Sequence, residues 1–335
     1  MIGISLLTLV PGVSGGSETY ARELIEALGR IGELEYDVIP PAETGASTRK
    51  RVANMAREAT LTRPRGGYDA IHYPLTVPLP RARLPRAVTI HDLQHRFHPE
   101  FFTAGERAFR RIAYDRAARR ADRVIAPSGF VAETLIEQLG VDAQRVHVIP
   151  HGLDHDRFRL REPEHRQRDY FLLYPANRWP HKNHERLLEA FERVQLGRPE
   201  LALVLTGIGH EGKSVPDGVD VRGRVTPSEL VALYRSAAAV VFPSLYEGFG
   251  SPPLEAMACG CPVAVADAGS LPEICGNAAA YFDPRSVEEM ATAIEHVLDQ
   301  PDELVERGLR RVREFTWERS ARAHEEVYRE LMANR

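Results

Sequence analysis

The chain has 335 residues, of which 43% are hydrophobic and 27% charged, with a formal net charge of -4. That length exceeds one ordinary core and predicts two domains of roughly 150 residues each. The near-balanced charge excludes a global pull toward nucleic acid, and no run approaches the ~20 apolar residues of a membrane span. Three cysteines, Cys259, Cys261 and Cys275, lack the second pair a structural zinc site needs and read as buried thiols in a reducing compartment. A cytoplasmic protein is expected, at most peripheral at the inner membrane face.

Residues 2–9 form a continuous apolar run of strand length, as in a parallel strand buried on both faces. Pro11, Gly12, Gly15 and Gly16 then make a loop rather than the cleavage site of a signal peptide. Residues 17–28 put Tyr20, Leu24, Ala27 and Leu28 on one helical face, with Gly29 as the expected cap. The spacing of Gly12, Gly15 and Gly16 does not match G-x-G-x-x-G, which argues against a nicotinamide or flavin site. Strands follow at 36–39, 69–73 and 87–90, and the last delivers His91 and Asp92 at its C-terminal end, where open parallel sheets bind ligands. The polar segment 43–67 reads as a weak helix within loop.

An arginine-rich helix is expected over 106–120. Residues 105–123 carry seven arginines against three acids, which suits a solvated face or contact with anionic lipid. Beyond a strand at 122–126, Ser128 and Gly140 cap a helix, and a strand at 145–149 closes a first domain, 1–150. A polar linker to residue 168 opens the second domain, 151–317.

There the alternation resumes, with strands at 170–175, 201–206, 219–225, 240–242, 262–266 and 280–282. Helices are expected at 183–195, after Thr226 with its capping-box Glu229, near Pro272, and from about Ser286, Pro301 and Trp317. Strands alternating with helices in both halves predict an α/β fold of two doubly wound, Rossmann-like parallel-sheet domains.

Four motifs carry chemistry. Residues 207–214, GIGHEGKS, fit the phosphate loop G-x-x-x-x-G-K-[ST], but the turn sequence after Ser214 lacks the helix such a loop requires. Asp154 and Asp156 form a D-x-D of the kind that can hold a divalent metal, placed in the linker. Arg178 and Lys182 lie between a strand end and a helix start, where a bidentate guanidinium and a point-charge ammonium suit a diphosphate. In the stretch 240–258, Glu247 and Glu255 bracket the glycine loop Gly248-Phe249-Gly250-Ser251, and carboxylates beside open backbone suit sugar hydroxyls. The helix carries Glu255 in its expected first turn, where read alone it could instead serve the helix dipole, as Glu247 could be an exposed loop acid; the ligand role is the favoured reading of both.

The run from Glu247 to Val263 resembles the signature of retaining nucleotide-sugar glycosyltransferases of family four, of the GT-B fold. Supporting pieces are Gly15 and Gly16 before Glu18, His91-Asp92, Arg178 with Lys182, Arg222 to Val225, Ala268 to Glu273 and Phe315-Thr316-Trp317. The resemblance implies two domains facing across a cleft, an acceptor-side one and a donor-binding one, with a final helix, about 318–335, packing back on the first. It implies that Glu255 binds the nucleotide ribose and Glu247 the donor sugar. Amides of Phe249, Gly250 and Ser251 would contact sugar and phosphate, Arg178 and Lys182 the diphosphate, and Gly15 and Gly16 would approach from the first domain. His91 would face the transferred sugar. The spacing of Arg178 and Lys182, with three residues between, is shorter than in many members. Residues 175–184 look most like the mannosyltransferase-like branch, which points to GDP-mannose, with a UDP-sugar as the other donor. The implied partners are that donor and a glycan, lipid-linked or small-molecule acceptor, with peripheral membrane contact through 106–120 and no nucleic acid. No cofactor and no metal are expected. The readings from other classes are a phosphate-loop NTPase using Gly207 to Ser214, and a sugar-nucleotide epimerase or binding protein.

Overall fold

The computed structural model describes residues 1–11, 15–42, 67–160 and 168–333. Among them, twelve strands pair in parallel throughout, forming two sheets of six. Two compact units contain them, Met1–Gly152 with Thr316–Arg335, and Leu153–Phe315.

In the first unit, β1 (Ile2–Ser5), β2 (Tyr36–Ile39), β3 (Ala70–Tyr73), β4 (Arg86–Thr89), β5 (Arg123–Ala126) and β6 (Val146–Val148) lie in the order β2-β1-β3-β4-β5-β6. Neighbouring residues along a strand serve opposite cores. Ala70, Ala87 and Ile125 pack in one cluster with Tyr20, Leu24 and Tyr328, whereas Ile71, Val88 and Val124 join Val131 and Leu135 on the other face. A sheet covered by helices on both sides demands apolar residues at every position, hence the unbroken apolar runs in the sequence.

The first strand is shorter than the apolar run, because the chain turns after Ser5 and the Leu9 amide donates to the Leu6 carbonyl. The following helix, Gly16–Ile31, passes straight through Gly29 and stops at Gly32, whose φ of 60° is the left-handed cap. Gly29 was expected to be that cap; Arg30 and Ile31 continue the helix and Gly32 supplies the same chemistry three residues later. Residues 43–67 and the glycines around 12 fall wholly or mostly outside the described residues. The arginine-rich segment is not one continuous α-helix. It consists of Ala104–Arg110, a π-helical turn Arg111–Asp115, and Arg116–Arg120. Ser128 and Gly140 cap their helix as expected, with Ser128 Oγ accepting from the Val131 amide and Gly140 at φ 63°. No helix among the described residues is long and apolar enough to cross a membrane.

The terminal helix, Trp317–Ala333, belongs to the first unit and is fastened there by a buried polar chain. His324 Nδ1 lies 2.7 Å from the Ser320 carbonyl, which can only accept. Nδ1 therefore holds the proton, and Nε2 accepts from the Tyr20 hydroxyl at 2.7 Å. With its proton spent, Tyr20 accepts from Thr89 Oγ1 at 2.9 Å, so Thr89 in turn accepts from His72 Nε2 at 2.8 Å. His72 Nδ1 is left to accept from Tyr328 at 2.8 Å. One carbonyl thus sets the direction of five hydrogen bonds, and both imidazoles must be neutral.

Burial pushes His324 down from 6.5 to about 4 and His72 well below its usual value. A base whose folded pKa is depressed binds protons better when unfolded. Its contribution is complete above about pH 6.5 and is lost as the pH falls toward 4, with His324 alone removing about 3 kcal/mol at the lower end. The melting temperature should therefore drop through that window. His324→Gln should flatten the slope while lowering stability at neutral pH; an unchanged slope would remove His324 from the account.

The second unit contains β7 (Asp169–Pro175), β8 (Ala202–Thr206), β9 (Val219–Gly223), β10 (Ala237–Phe242), β11 (Val263–Ala266) and β12 (Ala280–Phe282), in the order β12-β11-β10-β7-β8-β9. The chain runs outward from β7 to β9, then returns to the other side of β7 with β10. The topological switch point lies between the C-terminal ends of β7 and β10, where doubly wound sheets open a ligand crevice. All three cysteines are buried and free, and desolvation pushes Cys259 and Cys275 up to about 12 and Cys261 to about 11.

Candidate active site at the switch point of the second sheet

Beyond β7 the chain continues through Ala176, Asn177 and Arg178 into a 3₁₀ turn, Pro180–Lys182, and then the helix His184–Gly197. Asn183, at φ 59°, turns the chain between the two, and its side-chain Nδ2 donates to the carbonyls of Pro243 and Pro284 at 3.1 and 2.7 Å. The loop after β7 is thereby tied to the loop after β10. The Leu245 amide, 2.8 Å from the His181 carbonyl, repeats the link.

Those ties bring Lys182 Nζ to 2.6 Å from Glu247 Oε1, with both side chains largely buried. Lys182 also lies 5.0 Å from the centroid of the Phe242 ring. Residues 65 positions apart in sequence thus form one ion pair at the switch point. Arg178 is held differently, its Nη2 donating to Glu185 at 3.0 Å, an interaction that keeps the Glu185 carboxyl below its usual value despite desolvation.

The phosphate-loop lookalike has a structural role here. Its Gly207 has φ 107°, and a Cβ there would stand 2.6 Å from the Ala176 carbonyl oxygen. The Arg178 amide donates to Ile208 at 2.9 Å and the Ile208 amide to Asn177 Oδ1 at 3.0 Å. No helix follows; after turns the chain enters β9. Residues 207–209 buttress Arg178, and His210 lies under them with its ring 5.0 Å from that of His184. Burial first, then His210 and Arg178, pushes His184 down to about 3 and keeps it neutral.

The loop from Glu247 to Ser251 is fixed by close packing. A Cβ on Gly250, at φ 93°, would stand 2.6 Å from Leu271, and one on Gly269 2.7 Å from the Glu247 carbonyl. Ser270 donates its hydroxyl to the carbonyls of Glu247 and Phe249 at 3.1 and 2.9 Å. Sequence reasoning did not single out Ser270 or Gly269 as the clamp on this loop. The helix Ser251–Ala258 starts with prolines at 252 and 253, which have no N–H. Its opening donors are therefore the amides of Gly250 and Ser251.

Glu255 does not lie in the first turn of that helix, where it was expected; it lies one turn further in. Its Oε2 accepts from the Tyr234 hydroxyl at 2.8 Å, and burial raises its pKa. Tyr234 had no sequence signal, since it reads as one more apolar position on its helix.

Of the D-x-D pair, Asp154 is engaged locally and Asp156 is exposed. Asp154 Oδ1 accepts from the amides of Asp156 and Arg157, and its carboxylate pairs with Arg157 at 3.2 Å. In the first unit, His91 follows β4, with Nε2 2.7 Å from the Pro74 carbonyl at the end of β3. That carbonyl fixes the proton on Nε2, so neutral His91 offers Nδ1 as an acceptor, and burial lowers its pKa. Gly15, at φ 56°, precedes the helix that starts at Gly16.

Known proteins resemble the chain throughout. Residues 156–311 match the model for glycosyl transferases group 1, and residues 14–157 that for glycosyltransferase family 4. Similar sequences include the MMP alpha-(1->4)-mannosyltransferase of Mycolicibacterium hassiacum, 30% identical over 65% of this chain and 56% of that protein. The O-antigen chain mannosyltransferase B of Escherichia coli is 30% identical over 70% of this chain and 68% of its own length. The O-antigen chain mannosyltransferase RfbU of Salmonella typhimurium is 28% identical over 68% and 64%. The chain spans less than two thirds of the length of the Mycolicibacterium and Salmonella relatives. Among solved structures, sucrose-phosphate synthase from Thermosynechococcus elongatus superposes with a TM-score of 0.80 at 22% identity, over 100% of this chain and 99% of the other. Anabaena Alr3699/HepE in complex with UDP-glucose gives 0.74 at 18% identity, over 98% and 99%.

Proposed function

We propose, for a chain that belongs to the group 1, family 4 glycosyltransferases of the GT-B fold, the transfer of a hexose from a nucleoside-diphosphate sugar to an acceptor hydroxyl with retention of configuration. The observation that carries this is the Lys182–Glu247 pair at the switch point of the second sheet. An ammonium beside a carboxylate, next to amides that open a helix, matches a ligand with phosphates at one end and hydroxyls at the other. In this reading Lys182 and Arg178 stabilise the leaving diphosphate, Glu247 binds the donor sugar and Glu255 the ribose. The amides of Gly250 and Ser251, with the neighbouring backbone of Phe249, serve the sugar and phosphate. His91 accepts a hydroxyl at Nδ1, and Gly15 and Gly16 allow close backbone approach. Protein cations and helix amides do the work that Mg²⁺ does elsewhere.

The relatives named as mannosyltransferases support a mannosyl donor, with GDP-mannose preferred over a UDP-sugar. Glycan, lipid-linked and small-molecule acceptors all fit the reading. Membrane contact belongs to the same proposal. Gly105, Ala108, Phe109 and Ile112 form an i, i+3, i+4, i+7 apolar stripe that faces solvent, with Phe109 56% and Ile112 65% exposed, and Arg111 and Arg116 stand beside it.

The test is transfer from GDP-, UDP- and ADP-sugars, with the anomer read by NMR. Activity from one donor, retention of configuration, indifference to EDTA and indifference to Lys213→Ala are expected. Loss in EDTA that Mg²⁺ restores would return the metal role to the Asp154-Asp156 pair, and ATP hydrolysis abolished by Lys213→Ala would favour an NTPase.

A further inference from the structure

On the first sheet's opposite edge, at the N-terminal ends of β4, β5 and β6, lies a cavity of about 430 Å³ lined by Pro85, Arg119, Arg120, Asp122, Arg123 and Arg145, with Ala121 and Leu331. Its arginines come from three places in the chain: the end of the helix Arg116–Arg120, the first residue of β5, and the residue before β6. His91 and the strand C-termini stand at the other end of the sheet, so this cavity is separate from the residues of the same unit given roles in transfer.

The fold uses part of this charge. Arg145 Nη2 donates to the carbonyls of Ala118 and Arg119 at 3.3 and 3.1 Å, and to that of Ala121, satisfying the end of the helix Arg116–Arg120. Arg123 Nε pairs with Glu330 at 2.8 Å, and Arg119 Nε donates to the Leu139 carbonyl at 3.1 Å. Asp122 is occupied by the Arg86 amide at 2.8 Å. Arg120 is different: among the described residues its guanidinium has no hydrogen-bond or ion-pair partner, and it is exposed. Asp122 also pairs with the Arg86 guanidinium at 3.8 Å and Glu330 with Arg123, so among the described residues Arg119, Arg120 and Arg145 bring positive charge to the concavity without a carboxylate partner.

We infer that this cavity binds a phosphomonoester dianion. The positive surplus suits the dianion that a phosphomonoester carries near neutral pH, and the guanidinium fork matches phosphate oxygens in geometry. The volume falls in the range of small-molecule sites and far exceeds one phosphate, while Pro85, Ala121 and Leu331 give an apolar wall for the attached organic part. A soluble sugar phosphate and a phospholipid headgroup share this chemistry. The inference is independent of the donor-site reading.

Calorimetry on the full chain with a hexose 6-phosphate, at saturating GDP to fill the diphosphate site, tests it. Saturable binding is expected, weakened roughly tenfold or more by Arg120→Gln and further by Arg119→Gln with Arg120→Gln, and unchanged in Lys182→Ala. Circular dichroism melts keep folding separate from binding. Phosphatidic acid vesicles in a phosphatidylcholine background read the lipid source. Retention that Arg120→Gln abolishes, with no hexose phosphate binding, assigns the site to a headgroup; the converse assigns it to a soluble ligand. Absence of both, or binding that survives the double variant or vanishes in Lys182→Ala, overturns the proposal.

Discussion

Lys182→Ala should lower kcat by roughly 10²–10³, the usual cost of removing one preorganised group that stabilises charge developing in the transition state. The ammonium is largely buried and held by Glu247 at 2.6 Å, with the Phe242 ring beside it. In that setting it is poorly hydrated and already oriented, and the diphosphate takes it over from the Glu247 carboxylate. Arg178→Ala should cost a similar factor, since its guanidinium is held by Glu185 at 3.0 Å as the Lys182 ammonium is held by Glu247. Single-turnover kinetics with saturating donor read the chemical step directly, and wild-type turnover in Lys182→Ala would remove the diphosphate role. An intact melt in the variant is part of the measurement, because the Lys182 carbonyl also accepts from Tyr174 at 2.7 Å and that bond survives truncation of the side chain.

Much of the fold could be read from the chain because its signals are local. Apolar runs of strand length marked β1, β7 and β10, and the caps at Ser128, Gly140 and Thr226 stand where the side chains predict them. Where two residues carry the same signal, local reading has no means to choose. Gly29 and Gly32 are chemically equivalent caps, and only the packing of the helix Gly16–Ile31 decides that the second is used. The phosphate-loop pattern at 207–214 shows the opposite failure, since Gly207 is required by close contact with Ala176 and Gly209 packs against Arg178, while no helix follows.

The partners of the candidate site were beyond local reading for a different reason. Lys182 meets Glu247 because β7 lies beside β10, Ser270 meets the 247–249 backbone because β11 lies on the other side of β10, and Tyr234 meets Glu255 where the helices flanking β10 pack. The polar chain through residues 20, 72, 89, 324 and 328 is likewise assembled from four elements. In the sequence each of its members is an unremarkable histidine, tyrosine or threonine.

The same pairing separates the two glutamates. In the structure Glu247 neutralises Lys182, so a nucleoside diphosphate must compete with that carboxylate for the ammonium. Glu247→Gln keeps the shape and the hydroxyl-binding capacity on one side but releases Lys182 from its ion pair. GDP should therefore bind the variant as well as or better than the wild type, while kcat with the sugar donor falls by roughly 10²-fold or more through loss of a charge-assisted contact to the sugar. Among the described residues Glu255 has no cation in hydrogen-bond contact; it is buried, raised in pKa by desolvation, and anchored by Tyr234. Glu255→Gln should weaken GDP and donor affinity alike, by roughly 10- to 100-fold, and leave kcat at saturation nearly intact, because a ribose contact is present equally in ground and transition states. Calorimetry with GDP and steady-state kinetics on the two variants give the full comparison. GDP binding weakened by Glu247→Gln and untouched by Glu255→Gln would exchange the two roles. Equal losses of kcat in both would mean that the carboxylates act as one unit and that neither is confined to binding.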